Sequence, residues 1–229
     1  MRSTNTRPIT LCGACAGALL LACFGNLARS EDKSDFSRWE KDIAAFEKQD
    51  TETPPPKNAV LFAGSSSTRR WDLKKSFPDL DVINRGFGGS QIADSTHFAS
   101  RIILKAEPRL IIFYAGDNDI AGGKTPEQVS EDFQSFAGLI HRELPKTRII
   151  FISIKPSPKR WEMVDKQQKV NEQIQAWCKK NDYATYLDGV NPMLGDDGKP
   201  KKELFVQDGL HLSEKGYELW ASLLKPLLK

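Results

Sequence analysis

The chain has 229 residues, 39% hydrophobic, 9% aromatic and 28% charged, which suits one ordinary soluble globular domain with a sizeable core. Its 33 lysines and arginines outnumber the 30 aspartates and glutamates only through Arg2, Arg7 and Arg29, so residues 31–229 carry 30 charges of each sign. No polybasic patch remains to argue for a nucleic-acid partner, and pairs such as Lys74 and Lys75 read as solvated faces.

Residues 1–30 read as a secretory signal: Arg2 and Arg7, then the apolar run ITLCGACAGALLLACFG, then small-residue chemistry at Ala28 and Ser30, with cleavage expected after Ser30. A lipoprotein anchored at Cys23, which follows Leu-Leu-Ala, competes with that expectation. A true membrane span is disfavoured because the run is short and interrupted by Gly13, Gly17 and Gly25, so no stable span is expected in the mature protein. Cys12, Cys15 and Cys23 leave with the signal, and Cys178 remains alone, which excludes a disulfide framework.

Residues 31–57 are expected to form an N-terminal amphipathic helix and linker, with Phe36, Trp39, Ile43 and Phe46 at helical spacing and TETPPPKN ending the helix. From residue 58 to 229 one domain is expected. AVLFAG, LDVINRG, RLIIFYAG, TRIIFISI and YATYLDG are five apolar, β-branched or aromatic runs closed by glycine, proline or polar clusters, and they read as strands. Helical patterns alternate with them, clearest in residues 125–144, where Val129, Phe133, Phe136 and Ile140 share a face, and in residues 160–180, which include Cys178. A last helix follows Ser213 as N-cap and carries Tyr217, Trp220, Leu224 and Leu227. Strands apolar on both faces that alternate with helices predict an α/β fold: a three-layer α/β/α sandwich around a five-stranded parallel sheet. Ligands of such sheets sit at the carboxyl ends of the strands, and the unusual polar clusters all follow strands.

Each cluster supports two readings. In GSSS, Ser65, Ser66 and Ser67 make either a solvated turn or a nucleophile lifted clear of the sheet at a strand-to-helix turn. Thr68 excludes the GxSxG elbow, and the absence of GK[ST] excludes a phosphate loop. In NRGFGGSQ, Gln91 stands where GxGxxG needs glycine, which leaves a tight turn or an exposed backbone N–H at Gly86, Gly88 and Gly89. GDNDIAGG fails as a calcium loop at Ala121 and Gln128, leaving Asn118 as turn chemistry or as a neutral amide donor. In DGLHLSEKGY, Asp208 and His211 stand three apart before a helix, as a solvated cap or a carboxylate–imidazole pair. His97 and His141 fall in helical patterns, so His211 is the histidine best placed for chemistry. No further His or Cys cluster supports a metal site.

Taken together and in this order, FxGSSSxRxW, NRGFGG, YxGxNDxxxGK and DGLHL resemble the four blocks of the SGNH hydrolases, the esterase superfamily related to the GDSL lipases, over Ala59 to the C-terminus. The resemblance implies a flavodoxin-like sandwich and a Ser66–His211–Asp208 triad working through an acyl-enzyme. It also implies an oxyanion hole from the N–H groups of Ser66 and Gly89 and the amide of Asn118, with no metal or organic cofactor. Ser65 departs from the aspartate usual in the family, which leaves the hydrogen bonding around the nucleophile open. The expected substrate is a small-molecule or saccharide ester with a short, for instance acetyl, acyl group. Trp71, Trp161 and the basic KPSPKR loop with Arg160 would frame it. A ligand-binding protein on the same scaffold is the alternative.

Overall fold

Val60–Gly64 (β1) and Leu110–Tyr114 (β3) are apolar throughout, and every residue of both is buried, as strands in the middle of a parallel sheet must be. The computed structural model describes residues 35–228, so the expected signal and the start of the expected N-terminal helix lie outside it. Within that range Val82–Gly86 (β2), Arg148–Ile152 (β4) and Ala184–Leu187 (β5) complete a five-stranded sheet in the order β2-β1-β3-β4-β5, with every pairing parallel. The chain leaves β1 for one neighbour, β2, and returns to the other, β3. The crevice of such a sheet opens at that reversal, above the carboxyl end of β1.

Alternate residues of each strand face opposite layers. Leu61, Ala63, Ile111, Phe113, Ile149 and Phe151 point into one core, covered by helices Glu40–Glu52 (α1), Ile92–Ile102 (α4), Pro126–Glu143 (α6) and Val164–Cys178 (α7). Val60, Phe62, Ile112, Tyr114, Ile150 and Ile152 point into the other, with Leu73 of Leu73–Ser76 (α3) and Trp220 and Leu224 of Glu214–Leu224 (α8). The sequence-predicted face of α6, Val129, Phe133, Phe136 and Ile140, is fully buried, each side chain giving about 1.5–3 kcal/mol of transfer free energy. Its entry is fixed by a reciprocal cap: Thr125 Oγ1 accepts from Gln128 N at 3.3 Å, Gln128 Oε1 accepts from Thr125 N at 2.9 Å, and Pro126 fills the first turn. Two short helices, Ser66–Arg69 (α2) and Asp117–Ala121 (α5), stand directly on the ends of β1 and β3.

The pattern at residues 160–180 resolves into two pieces. A 3₁₀ stretch, Pro158–Met163, precedes α7, because Pro158 opens it and Arg160 sits at φ −123°, ψ 30°, outside the helical region. Before α1, a 3₁₀ turn, Phe36–Trp39, buries Trp39. His97 stacks on Phe36, and His141 stacks on Tyr183, which immediately precedes β5. Cys178, at the end of α7, is 7% exposed, and burial pushes its thiol up to about 11. Among the described residues no helix is long and apolar enough to cross a membrane.

The end of β1 is set by backbone geometry. Gly64 has φ +122°, and a Cβ there would lie 1.9 Å from the carbonyl oxygen of Tyr114 on β3. Gly64→Ala is therefore expected to cost at least about 3 kcal/mol in urea unfolding, since strain and overlap with backbone add. A loss under about 1 kcal/mol would mean that the strand end can yield.

Candidate active site

The turn at Gly64 lifts the serine run out of the sheet plane and starts α2 at once. Ser65 and Ser67 are 3% and 2% exposed, whereas Ser66 between them is partly open. The backbone around it is fastened from three sides. Ser65 N donates to Tyr114 O at 2.9 Å, Tyr217 of α8 donates its hydroxyl to Ser67 O at 2.9 Å, and Asn84 Nδ2 donates to Thr68 O at 2.8 Å. Ser65, which stands where the resemblance expects aspartate, makes no side-chain cap bond to α2.

The loop before α8 brings the partner groups across 145 residues of sequence. His211 Nε2 lies 3.0 Å from Ser66 Oγ, and His211 Nδ1 lies 2.6 Å from Asp208 Oδ2. The second carboxylate oxygen, Oδ1, accepts from Leu210 N at 2.8 Å and from His211 N at 2.9 Å. Desolvation opposes ionisation of Asp208, but the His211 ring and these two amides outweigh it and hold the carboxyl well below the usual range. Nδ1 thus faces an ionised acceptor, which orients Nε2 toward the serine.

Two further groups converge from β2 and β3. Gly89 is exposed, at φ +75°, with open space where a Cβ would stand. Asn118, on α5, donates one Nδ2 hydrogen to Ser90 O at 3.0 Å, leaving the other for a ligand. Its Oδ1 accepts from both Nη1 and Nη2 of Arg160 at 3.2 Å, which fixes which way the amide points. Ser90, fully buried, donates its hydroxyl to Phe87 O at 2.9 Å and Gly64 O at 3.3 Å, joining the two loops. The structure thus brings Ser66, His211 and Asp208 into one hydrogen-bonded line and ties Asn118 of α5 and the Gly89 loop to the same strand end through Ser90.

Two expectations about the surroundings change. Trp71 was expected to frame substrate; it is 4% exposed and packed against Phe62, Phe77, Tyr217 and Trp220, with its indole N–H donating to Ser76 Oγ at 2.8 Å. Its large apolar ring is worth more in the second core than at a wet rim. Arg160, expected to meet substrate, is committed to Asn118 and to Asp117, whose Oδ2 lies 2.8 Å from Nη1. Trp161 does border a recess of about 470 Å³, together with Gln168, Asn171, Glu172, Tyr186 and Asp188.

Beneath Asn118 lie Gln167, which sequence reasoning missed, and Lys155, which opens the KPSPKR loop expected to frame substrate and is buried instead. Lys155 is 1% exposed and 3.8 Å from Asp117 Oδ2, and Gln167 Nε2 donates to Asp117 Oδ1 at 3.0 Å. Burial pushes the Lys155 ammonium below its usual range, against the pull of Asp117. On the far side of α5, burial pushes Asp119 up to about 6 despite Lys124 at 3.1 Å, while Asp119 Oδ1 accepts from Ile92 N at 3.2 Å. The acids flanking Asn118 were visible as GDND, but nothing in that spacing names their partners.

The model of the GDSL-like Lipase/Acylhydrolase family matches residues 52–219. Among solved structures, the chain is 24% identical to a GDSL-like lipase from Bacteroides thetaiotaomicron, covering 84% of this chain and 96% of that one, with a TM-score of 0.67. It is 22% identical to a protein provisionally named a platelet activating factor from Streptococcus pneumonia, covering 85% and 94%, with a TM-score of 0.76. It is 15% identical to an acetylxylan esterase from Geobacillus stearothermophilus, covering 75% and 95%, with a TM-score of 0.61. At these identities the likeness is one of fold. A curated relative, the N-acylneuraminate cytidylyltransferase of Escherichia coli O18:K1:H7, is 19% identical over 173 residues, and the match spans 74% of this chain but only 40% of that protein.

Asp117 carries the charge balance beneath the site. Asp117→Ala leaves the buried Lys155 without its counter-ion and should cost about 3 kcal/mol at neutral pH. The deficit should narrow as pH rises through the lowered lysine range, because the neutral amine tolerates burial. Urea unfolding at several pH values measures both, and a pH-independent deficit would assign the loss to packing instead.

Proposed function

The chain belongs to the GDSL-like lipase/acylhydrolase family, and on that footing we propose that it is a serine carboxylic ester hydrolase using Ser66, His211 and Asp208. The observation that carries the proposal is the unbroken line from Ser66 Oγ through His211 Nε2 and Nδ1 to Asp208, at 3.0 and 2.6 Å. Neutral His211 takes the Ser66 proton on Nε2 as Oγ attacks the ester carbonyl, and the ionised Asp208 stabilises the imidazolium that forms. The oxygen that becomes anionic is met by the N–H groups of Ser66 and Gly89 and by the free Nδ2 hydrogen of Asn118. The tetrahedral species collapses, the alcohol leaves with the proton from His211, and the acyl group stays on Ser66. Water, deprotonated by His211, then releases the acid by the reverse sequence. Every proton in the cycle passes through Nε2, so no step requires a cofactor.

The proposed substrate is a short acyl ester of a saccharide. Support comes from the recess beside Trp161, where Trp161 and Tyr186 offer aromatic surface and Gln168, Glu172 and Asp188 offer hydrogen-bonding groups for hydroxyls. The likeness to an acetylxylan esterase points the same way. In the same proposal residues 1–30 are a signal that carries the enzyme out of the cytoplasm, or a lipoprotein signal ending at Cys23.

Ser66→Ala should lower kcat by about 10⁴ to 10⁶, because the three groups act as a unit, while Ser65→Ala and Ser67→Ala should leave most of the activity. Asn118→Ala should cost about 10² to 10³ in kcat, the loss of one preorganised donor. Full activity of a folded Ser66→Ala protein toward a chromogenic acetate ester would exclude the mechanism. With pH, kcat/KM should rise along a single ionisation, since the base must be neutral and Asp208 is already charged throughout; a two-proton rise would contradict this. Trp161→Ala should raise KM for an acetylated oligosaccharide about 10-fold while leaving the small acetate unaffected, in line with loss of one aromatic platform. Equal effects on both esters would remove the saccharide from the proposal.

A further inference from the structure

A peptide between two glycines has little preference of its own for one orientation, because neither residue carries a Cβ to bias φ and ψ. The unit between Gly88 and Gly89 is of this kind, and one end of it is the Gly89 N–H assigned above to the oxyanion. In a planar trans peptide the C=O and the N–H of one unit point in opposite directions. Whatever grips the Gly88 carbonyl therefore aims the Gly89 amide. The indole Nε1 of Trp39 donates to Gly88 O at 2.9 Å.

Trp39 is held as firmly as a core residue. It is 4% exposed, meets Phe87 edge to face at 5.8 Å between centroids, carries the Arg38 guanidinium 3.6 Å above its ring, and precedes the fully buried Ile43 by one helical turn. Gly89 itself is exposed at φ +75° with nothing within 4 Å of a Cβ position, and its N–H donates to no acceptor among the described residues. One face of the peptide is thus anchored inside the protein and the other is open. Trp39 also lies upstream of residues 52–219, the span matched by the family model.

We propose that Trp39 is a positioning residue for ester hydrolysis: its indole N–H locks the Gly88–Gly89 peptide so that the Gly89 N–H faces the developing oxyanion. The inference rests on the assignment of Gly89 as a donor in the proposed function. A hydrogen bond to the carbonyl also polarises the amide and makes its N–H the stronger donor. The contribution belongs to the transition state, because the ground-state carbonyl asks less of that donor than the oxyanion does.

The test compares Trp39→Phe with replacement of Trp39 by 3-benzothienylalanine, which keeps the shape of the indole and puts sulfur in place of its N–H. Both are expected to lower kcat for a chromogenic acetate about 10- to 100-fold with KM nearly unchanged. Affinity for an alkyl boronic acid, which forms a tetrahedral adduct on Ser66, should fall by a similar factor. Urea unfolding on the same samples separates this from loss of fold, and where Trp39→Phe is destabilised the benzothienyl protein decides. A folded benzothienyl protein with wild-type kcat would overturn the role of Trp39, as would a fall in kcat without loss of boronate affinity. Ser66→Ala serves as the reference: if it retains activity, the proposed function itself fails, whereas its inactivity beside an unaffected Trp39 variant leaves that function standing and removes only the positioning role.

Discussion

A parallel sheet sends the carboxyl end of every strand to the same edge, and the candidate site depends on that constraint. The fold needs no long excursion to bring Ser66, Gly89, Asn118 and His211 together, because each follows a strand or lies on the connection after β5. What the sheet does not supply is orientation. That comes from single hydrogen bonds between neighbouring strand ends: Ser65 N to Tyr114 O, Phe87 N to Gly64 O, Ser90 Oγ to Gly64 O and Asn118 Nδ2 to Ser90 O. They couple β1, β2 and β3 at one point, so a shift in one loop is felt in the other two.

The polar groups divide by burial in a way that suits their chemistry. Desolvation works against Asp208, but the His211 ring and the Leu210 and His211 amides together outweigh that cost and keep it ionised beside His211. Asp117, Lys155, Arg160 and Gln167 are packed beneath Asn118, where isolated charges would be costly and where pairing makes the arrangement rigid. The amide of Asn118 is neutral at the surface but is oriented from below by a charged network, which lets a weak dipole act as a fixed one.

Much of this was legible in the sequence. The sheet was legible because β1, β3 and β4 are long apolar runs punctuated by glycine or polar clusters, and α6 because Val129, Phe133, Phe136 and Ile140 keep a strict helical period. The candidate residues were legible as polar clusters at strand ends, but spacing alone could not choose among Ser65, Ser66 and Ser67. The resemblance made that choice, and in the fold Ser66 is the serine that is not buried. Trp71 misled because an aromatic beside a serine run looks the same whether it lines a cleft or fills a core. Trp39 and Gln167 gave no functional signal, since one hydrogen bond between distant elements leaves no periodic trace, and Lys155 was grouped with the KPSPKR loop although it is buried against Asp117. Trp39 stands at helical spacing with Phe36, Ile43 and Phe46, and that pattern contains nothing about where its indole N–H goes.

Cys178 shows what else follows from packing. It is the one cysteine of residues 31–229, it ends the helix that covers β4 and β5, and burial holds its thiol in the unreactive protonated form. A thiol-specific dye can reach it only when α7 lifts from the sheet. Among residues 31–229 it is therefore a single built-in reporter whose labelling rate reads the opening of the layer that also supplies Gln167, without any engineered probe.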